Sequence, residues 1–414
     1  MKKNIFKLFS AMVVSATVLT SCIEEIFPEN STATSEQIGA SASALEAAIN
    51  GLPSQMVQGY LVYGKQTHET DIAYPSLMLA QSELLGDIVA TEAGYDWWNP
   101  YCSSNEMGDN TYYSYLPYFA LYKFVKSAND VIAVVDVTDP TISDEMRGYG
   151  SMAHAFRALD YYTLMALFEP VENIYTDCSK ILGLTVPIVT EATTNDMAKN
   201  NPRATREEMM AFILSDLDKA EIGLADYTPT SKTFPDLSVV YGLKAKVYMW
   251  NGEYAKAAEY ARKAIDASGA TPMTAAQWNN SITGFNTATS SWMWYFHPTA
   301  SNMGNLANFV GHISGEADWG YASLSKPQIA RSLYDGIADT DFRKYSFLDP
   351  DRSIYDYQSV QGDAWLAEQP DYFSLKFRCV SGDHKTYSVG AAADIPVMRV
   401  EEMYFIEAEA VGAC

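Results

Sequence analysis

The sequence predicts a mostly α protein built on helical pairs, with one long loop-rich region set before its last helix. Three observations predict this. Apolar residues recur every three or four positions through most of residues 36–270. Small and large side chains alternate across a helix pair at 238–267. From Thr271 to about Tyr372 the period breaks, and a stretch rich in Gly, Ser, Asn, Thr and Pro carries five of the eight tryptophans. A span of that length without helical period is unusual for mere connection and commonly carries function.

The chain opens with Lys2, Lys3 and Lys7, followed by an apolar run from Leu8 to Leu19. That run is too short to span a bilayer but has the length of a signal-peptide core. Leu19-Thr20-Ser21-Cys22 follows and resembles the lipobox of bacterial lipoproteins, in which the cysteine is acylated and becomes the new N-terminus. Acyl chains contribute about 0.8 kcal/mol per buried methylene, so several of them anchor a body lastingly. Residues 1–21 are therefore expected to be a lipoprotein signal peptide and 22–35 a tether, with 36–414 as the folded domain. Glu24 and Glu25 resemble the surface-export signal of Bacteroidetes lipoproteins; a merely solvated spacer reads equally well. No later stretch is long and apolar enough to cross a membrane.

The helices follow in order. Ile38, Ala42, Leu45 and Ile49 keep a helical spacing that Gly51 and Pro53 are expected to stop. Tyr118, Leu121, Val125, Ala128, Ile132 and Val135 line one face of a helix that Pro117 is placed to start. A long helix from about Ser143 to Phe168 ends before Pro170. The clearest runs from Arg206 to Leu224, where Thr205 and Glu208 have capping-box spacing and Met209, Ile213, Leu217, Ala220 and Leu224 make one stripe. Ser238–Trp250 and Glu253–Ala267, turned by Asn251-Gly252, carry Ala245, Tyr248, Ala257 and Ala264 in the manner of a tetratricopeptide unit. Helicity returns at Met398–Ala410, with no following helix to complete that pair.

Composition narrows the function classes. The formal charge is −23, and removing residues 1–21 leaves 25 basic and 51 acidic side chains, a net of −26. Such a surface repels phosphate, which argues against nucleic acid and against anionic headgroups. Beyond Cys22 and the terminal Cys414, Cys102, Cys178 and Cys379 lie far apart with no metal-like spacing; buried thiols are expected, and the sequence does not pair them. His68, His154, His297, His312 and His384 include no zinc-binding motif, and there is no nucleophile elbow or phosphate-binding loop. No cofactor, no metal and no catalytic residue is expected. His154 lies in an apolar helical pattern and reads as structural.

Aromatic residues among polar ones give the better signal. Trp97, Trp98, Asn99 and Tyr101 lie in a short run that cannot all point inward; if extended, Trp97 and Trp98 face opposite sides. Trp292 and Trp294 are expected to share a face of a strand, and Trp319 and Tyr321 another. An exposed ring beside an amide or carboxylate suits a sugar, whose C–H face stacks while its hydroxyls are hydrogen-bonded. Trp97, Trp98, Asn99, Tyr101, Trp292, Trp319 and Tyr321 are the candidate ligand-binding residues, whereas Trp250 and Trp294 read as core.

Several segments together resemble the SusD/RagB family of outer-membrane nutrient-uptake lipoproteins. They are the lipobox at Cys22, Ala153–Tyr162, the strand-like Gly183–Val189, Arg203 ahead of Ile213–Ala220, Gly242–Tyr248, Asp341-Phe342-Arg343 and Met398–Tyr404. The resemblance implies four tetratricopeptide-like helical pairs with a loop-rich ligand-binding half. It implies an oligosaccharide or other nutrient as ligand, and a SusC-like TonB-dependent transporter as partner. It places the protein at the outer membrane, lipid-anchored and facing outward. Against the family pattern, the end of the chain reads as C-terminally incomplete. The alternative reading is a tetratricopeptide-type scaffold or adhesion lipoprotein that binds protein or peptide partners.

Overall fold

The computed structural model describes residues 38–413 apart from 40, 66–67, 87, 91–96, 105, 304–305 and 353–356. The leader, Cys22, the 22–35 tether and the Glu24-Glu25 pair lie outside the described residues. The architecture is mostly α. Helix α1, Ala42–Met56, starts at Ser41, whose hydroxyl accepts the Ala44 amide at 3.1 Å. It does not stop at Gly51-Pro53. Leu52, Pro53 and Met56 are all buried, and that apolar burial outweighs an interior proline's disruption, about 3 kcal/mol.

Helix α2 is Tyr74–Leu85, strand β1 is Ile88–Ala90, and the short α3 is Asn99–Ser103. Helix α4, Tyr112–Ile132, holds Pro117 inside rather than at its start. Proline supplies no N–H to the carbonyl four residues back, Tyr113, and the Tyr101 hydroxyl donates to that carbonyl at 2.9 Å instead. The helix therefore begins a turn and a half earlier than the proline suggests.

Helix α5, Asp144–Phe168, is capped by Ser143 and buried on nearly every side from Gly148 to Met165. Helix α6, Arg206–Leu224, has the expected capping box: Thr205 Oγ1 accepts the Glu208 amide at 3.2 Å, and Glu208 accepts the Thr205 amide at 2.8 Å. The two helices approach closely at Gly223, where a Cβ would stand 2.7 Å from the Arg147 carbonyl oxygen. A polar knot ties them. Arg157 donates to both Asp216 oxygens at 2.8 and 2.7 Å and to Asn129 and Glu191 at 2.6 Å, while His154 lies 2.8 Å from Asp216. Burial works against the Asp216 carboxylate, but the bonds from Arg157 and His154 hold it below its ordinary value. His154 is thus a buried structural residue.

The segment 183–189 forms no strand, only a single bridge between Leu184 and Thr205. Side chains occupy its carbonyls: Tyr122 bonds Pro187 at 2.5 Å, Tyr161 bonds Val189 at 2.9 Å, and Asn129 bonds Val189 at 3.1 Å. With those acceptors taken by helices, no ladder is needed.

Helices α7, Leu237–Trp250, and α8, Tyr254–Ser268, form the expected hairpin, with Gly252 at φ +74 in its turn. Ala257, Ala261 and Ala264 let α8 seat against α7, and Lys244 is buried between Asp218 and Glu221. Trp250 is half-buried, its indole N–H bonding Glu169 at 3.3 Å.

The irregular region contributes strand β2, Trp292–Phe296, and strand β3, Pro327–Ile329. Strand β4, Ile395–Arg399, leads into helix α9, Val400–Ala413. The pairs are antiparallel, β1 with β3 and β2 with β4. Register shifts in β2 between Trp292 and Trp294 separate the two indoles. Trp294 enters the main helical core edge-on to Phe156 at 5.2 Å, whereas Trp292 joins a smaller cluster with Phe285 and Trp278. They do not share a face. Helix α9 docks on the α7–α8 pair through Val400, Met403 and Ala410, with Arg262 pairing Glu407 and Lys246 pairing Glu402 at 2.7 Å. Of the internal cysteines only Cys379 is buried; Cys178 is half-buried and Cys102 exposed, so the expectation of buried thiols holds for one of three. Cys102 lies on the outer side of the short α3, and Cys178 lies in the loop that follows α5.

Candidate functional site

Four separate stretches of chain build one aromatic surface. Helix α4 presents Tyr112, Tyr115 and Phe119, spaced so that they fall on one side of the helix, with Tyr115 stacked on Phe119 at 4.9 Å. The loop between α1 and α2 adds Tyr63 and His68. Tyr63 stacks on Tyr112 at 5.6 Å, and His68 stacks on the same ring at 3.7 Å. The segment before α3 brings Trp97, edge-on to His68 at 5.6 Å. The irregular region brings Tyr321, 5.6 Å from Trp97.

The loop carrying Tyr63 is held from beneath. The Asp71 carboxylate accepts the backbone amides of Val62 at 3.2 Å and Tyr63 at 3.3 Å, and Lys123 of α4 donates to the Leu61 carbonyl. Burial pushes the Asp71 carboxyl up, partly offset by those amides and by Lys123. Tyr321 is backed by His312, stacked at 5.4 Å, whose Nε2 lies 3.1 Å from the Glu69 carbonyl oxygen. Complete burial pushes the His312 imidazole down to about 4, so it is neutral at physiological pH. The rings thus rest on hydrogen-bonded supports, the Asp71 carboxylate on one side and the neutral His312 imidazole on the other.

Exposure divides the sequence candidates. Trp97 and Tyr321 are half-buried and Asn99 is exposed, and the fold brings the first two together. Trp98 (4 % exposed) and Tyr101 (3 %) lie behind them in the core, because the run turns into α3 instead of extending. Trp292 is fully buried and has no face toward solvent. Trp319 is 8 % exposed and packs with Met303, Val310 and Cys379, its ring so close to Gly390 that a Cβ there would come within 2.6 Å. Trp319 and Tyr321 therefore do not share a face: the chain does not stay extended but turns into a 3-10 helix at Tyr321–Ser323, which leaves Trp319 inward and Tyr321 at the platform.

Sequence reasoning missed Tyr63, Tyr112 and Tyr115. Tyr63 and Tyr115 are the most exposed rings of the surface, at 38 % and 41 %. The signal was the Tyr112, Tyr115, Phe119 spacing on the side of α4 opposite its apolar stripe. Chemically, the surface offers flat apolar faces flanked by the phenol hydroxyls of the exposed Tyr63 and Tyr115. It can stack the C–H face of a ring while donating to its substituents.

Comparison with known proteins adds the following. Residues 46–249 match a family model, SusD-like, described as starch-binding associating with outer membrane. No curated protein matches the chain. Among solved structures, a SusD-like carbohydrate binding protein from Bacteroides vulgatus superposes with a TM-score of 0.67 at 19 % identity, covering 89 % of this chain and 71 % of that one. A SusD superfamily protein from Bacteroides thetaiotaomicron gives 0.67 at 20 % identity, covering 90 % and 76 %. Surface glycan-binding protein A from Bacteroides thetaiotaomicron, solved with laminarihexaose, gives 0.60 at 12 % identity, covering 90 % and 79 %. At these identities the solved structures speak for the fold, and the family model identifies residues 46–249, just under half of the chain, as SusD-like.

Proposed function

We propose that this protein is a cell-surface lipoprotein that binds oligosaccharide at the aromatic platform without cleaving it and delivers it to a TonB-dependent outer-membrane transporter. One observation carries the binding reading: Trp97, from the early loop, and Tyr321, from the irregular region, meet at 5.6 Å on a surface continuous with exposed Tyr63 and Tyr115. Carbohydrate binding by proteins of the same fold, including one solved with laminarihexaose, supports it. The net charge of −23 favours a neutral glycan over an acidic one. In this reading Cys22 carries the lipid, residues 1–21 are removed, and the outer membrane is reached through the anchor.

The test is calorimetry of the purified protein against a panel of neutral oligosaccharides, laminari-oligosaccharides included, with the incubated sugar then analysed for cleavage. A binder returned intact is expected. A cleaved sugar would establish an enzyme, and no binding across the panel would sink the carbohydrate reading. For delivery, affinity purification from the outer membrane is expected to bring down a TonB-dependent β-barrel transporter.

A further inference from the structure

A second cavity, apart from the aromatic platform, lies beside α2 and the β1–β3 pair and has a volume of about 410 Å³. Its floor is apolar: Leu79, Ile88, Ile313, Ile329, Ile337 and Phe347 line it. Its polar character is almost wholly cationic, from Arg343, Lys376 and Arg399, and no carboxylate lines it among the described residues. In a chain of net charge −23 that is a local reversal of sign.

The three cations are not equivalent. Arg343 is occupied by Asp341, which accepts from its Nε at 2.9 Å. Arg399 and Lys376 lie over the same two rings. The Arg399 guanidinium is 5.5 Å from the Trp278 ring and 5.2 Å from Phe285, and the Lys376 ammonium is 5.5 and 4.9 Å from them. The Arg399 Nη1 stands 3.5 Å from a Glu401 oxygen without hydrogen-bond geometry, and it is buried with no other partner among the described residues. Burial lowers the Arg399 pKa, yet a guanidinium does not give up its proton in proteins, so the charge stays. A largely buried guanidinium set over ring faces, with one long ion pair to Glu401, retains capacity for a bidentate anion.

We infer that this cavity binds an amphipathic monocarboxylate, an alkyl or aryl chain lying on the apolar floor with its carboxylate at Arg399 and Lys376. The volume falls in the range of small-molecule sites, about 300–1,000 Å³. Inorganic anions would leave the floor uncovered, and neutral apolar molecules would leave the guanidinium unanswered. The inference is independent of the glycan reading, since the two sites share no residue.

The test uses octanoate and 3-phenylpropionate as probes, with octanol and inorganic phosphate as controls, by saturation-transfer NMR and calorimetry on the purified protein. Both carboxylates are expected to bind, each at least tenfold more tightly than either control. Arg399→Gln is expected to weaken the carboxylates roughly tenfold and leave octanol unchanged. Leu333 is 44 % exposed and lines the cavity, so Leu333→Trp fills it without disturbing the core and is expected to block both carboxylates. That variant carries the test if Arg399→Gln does not fold. The inference is overturned if neither carboxylate binds, if octanol binds as tightly as octanoate, or if Leu333→Trp binds the carboxylates like the wild type.

Discussion

The Tyr101 hydroxyl donates to the Tyr113 carbonyl at 2.9 Å and so supplies the hydrogen bond that Pro117 withholds from helix α4. One bond thereby serves two purposes. It keeps α4 helical through Tyr112 and Tyr115, and it fixes the segment carrying Trp97 against that helix. A local backbone defect becomes the joint on which the platform is aligned.

Tyr101→Phe removes that donor while keeping the ring. Stability is expected to fall by about 1–3 kcal/mol, the range for a buried acceptor that loses its partner. Pro117→Ala in the same background restores an amide donor within the helix and is expected to recover part of the loss. Urea denaturation of the two singles and the double reads the coupling. Strict additivity would show that hydroxyl and proline are unrelated.

Platform and core aromatics are expected to behave oppositely. Trp97→Ala and Tyr115→Ala each remove a stacking surface worth about 0.5–1.5 kcal/mol beyond area burial, so glycan affinity should drop several-fold to tenfold with little change in stability. Trp292→Ala and Trp294→Ala empty fully buried sites and should cost about 3–5 kcal/mol of stability instead. Calorimetry beside thermal unfolding separates the two groups. Glycan binding that survives both platform substitutions would place the site elsewhere.

The supports of the platform set a pH dependence. His312 has a folded-state pKa of about 4 against an ordinary 6.5, and burial lowers His68 as well. Between those values the unfolded chain takes up protons that the folded chain refuses. Stability conferred by the neutral imidazole is therefore complete above about 6.5 and declines as pH falls toward 4, by at most about 1.4 kcal/mol per pH unit per group. Ligand affinity of the folded protein should hold over that interval and weaken only near pH 4, where His312 takes up a proton against Tyr321, Trp98 and the Glu69 carbonyl. His312→Phe should flatten the dependence without abolishing it. A wild-type profile level from pH 7 to 5 would contradict the assignment.

The knot between α5 and α6 titrates in the other direction. Asp216 is held below its ordinary value, so its contribution is present at neutral pH and is lost only as pH falls below about 4. Arg157→Met leaves that carboxylate buried without its main partner and should destabilise by about 3–5 kcal/mol. Denaturant unfolding at pH 7 measures it, and a loss under 1 kcal/mol would mean that His154 alone satisfies Asp216.

Lipidation is tested directly. Metabolic labelling with a clickable fatty acid is expected to mark the wild type and not Cys22→Ala. Equal labelling of both would remove Cys22 as the anchor.

By itself the sequence determined what depends on near neighbours. The capping box at Thr205 and Glu208, the Ser143 start of α5, the Gly252 turn and the stripes of α6 and α9 were all legible, because a helix is set by contacts within about one turn. The region from Thr271 to Tyr372 was legible as irregular for the same reason. Only the tertiary structure decided what depends on distant partners. It carried α1 through Pro53 by burying Leu52 and Met56, and it extended α4 past Pro117 with a hydroxyl from outside the helix. It separated Trp292 from Trp294 by a register shift against β4, and it sent Trp98 and Trp319 inward while leaving Trp97 and Tyr321 near the surface. Exposure of an aromatic ring is settled by whichever remote segment packs over it, and composition and periodicity contain no record of that segment. The platform was therefore half visible: the two stretches that meet were named, but the tyrosines that face solvent were not.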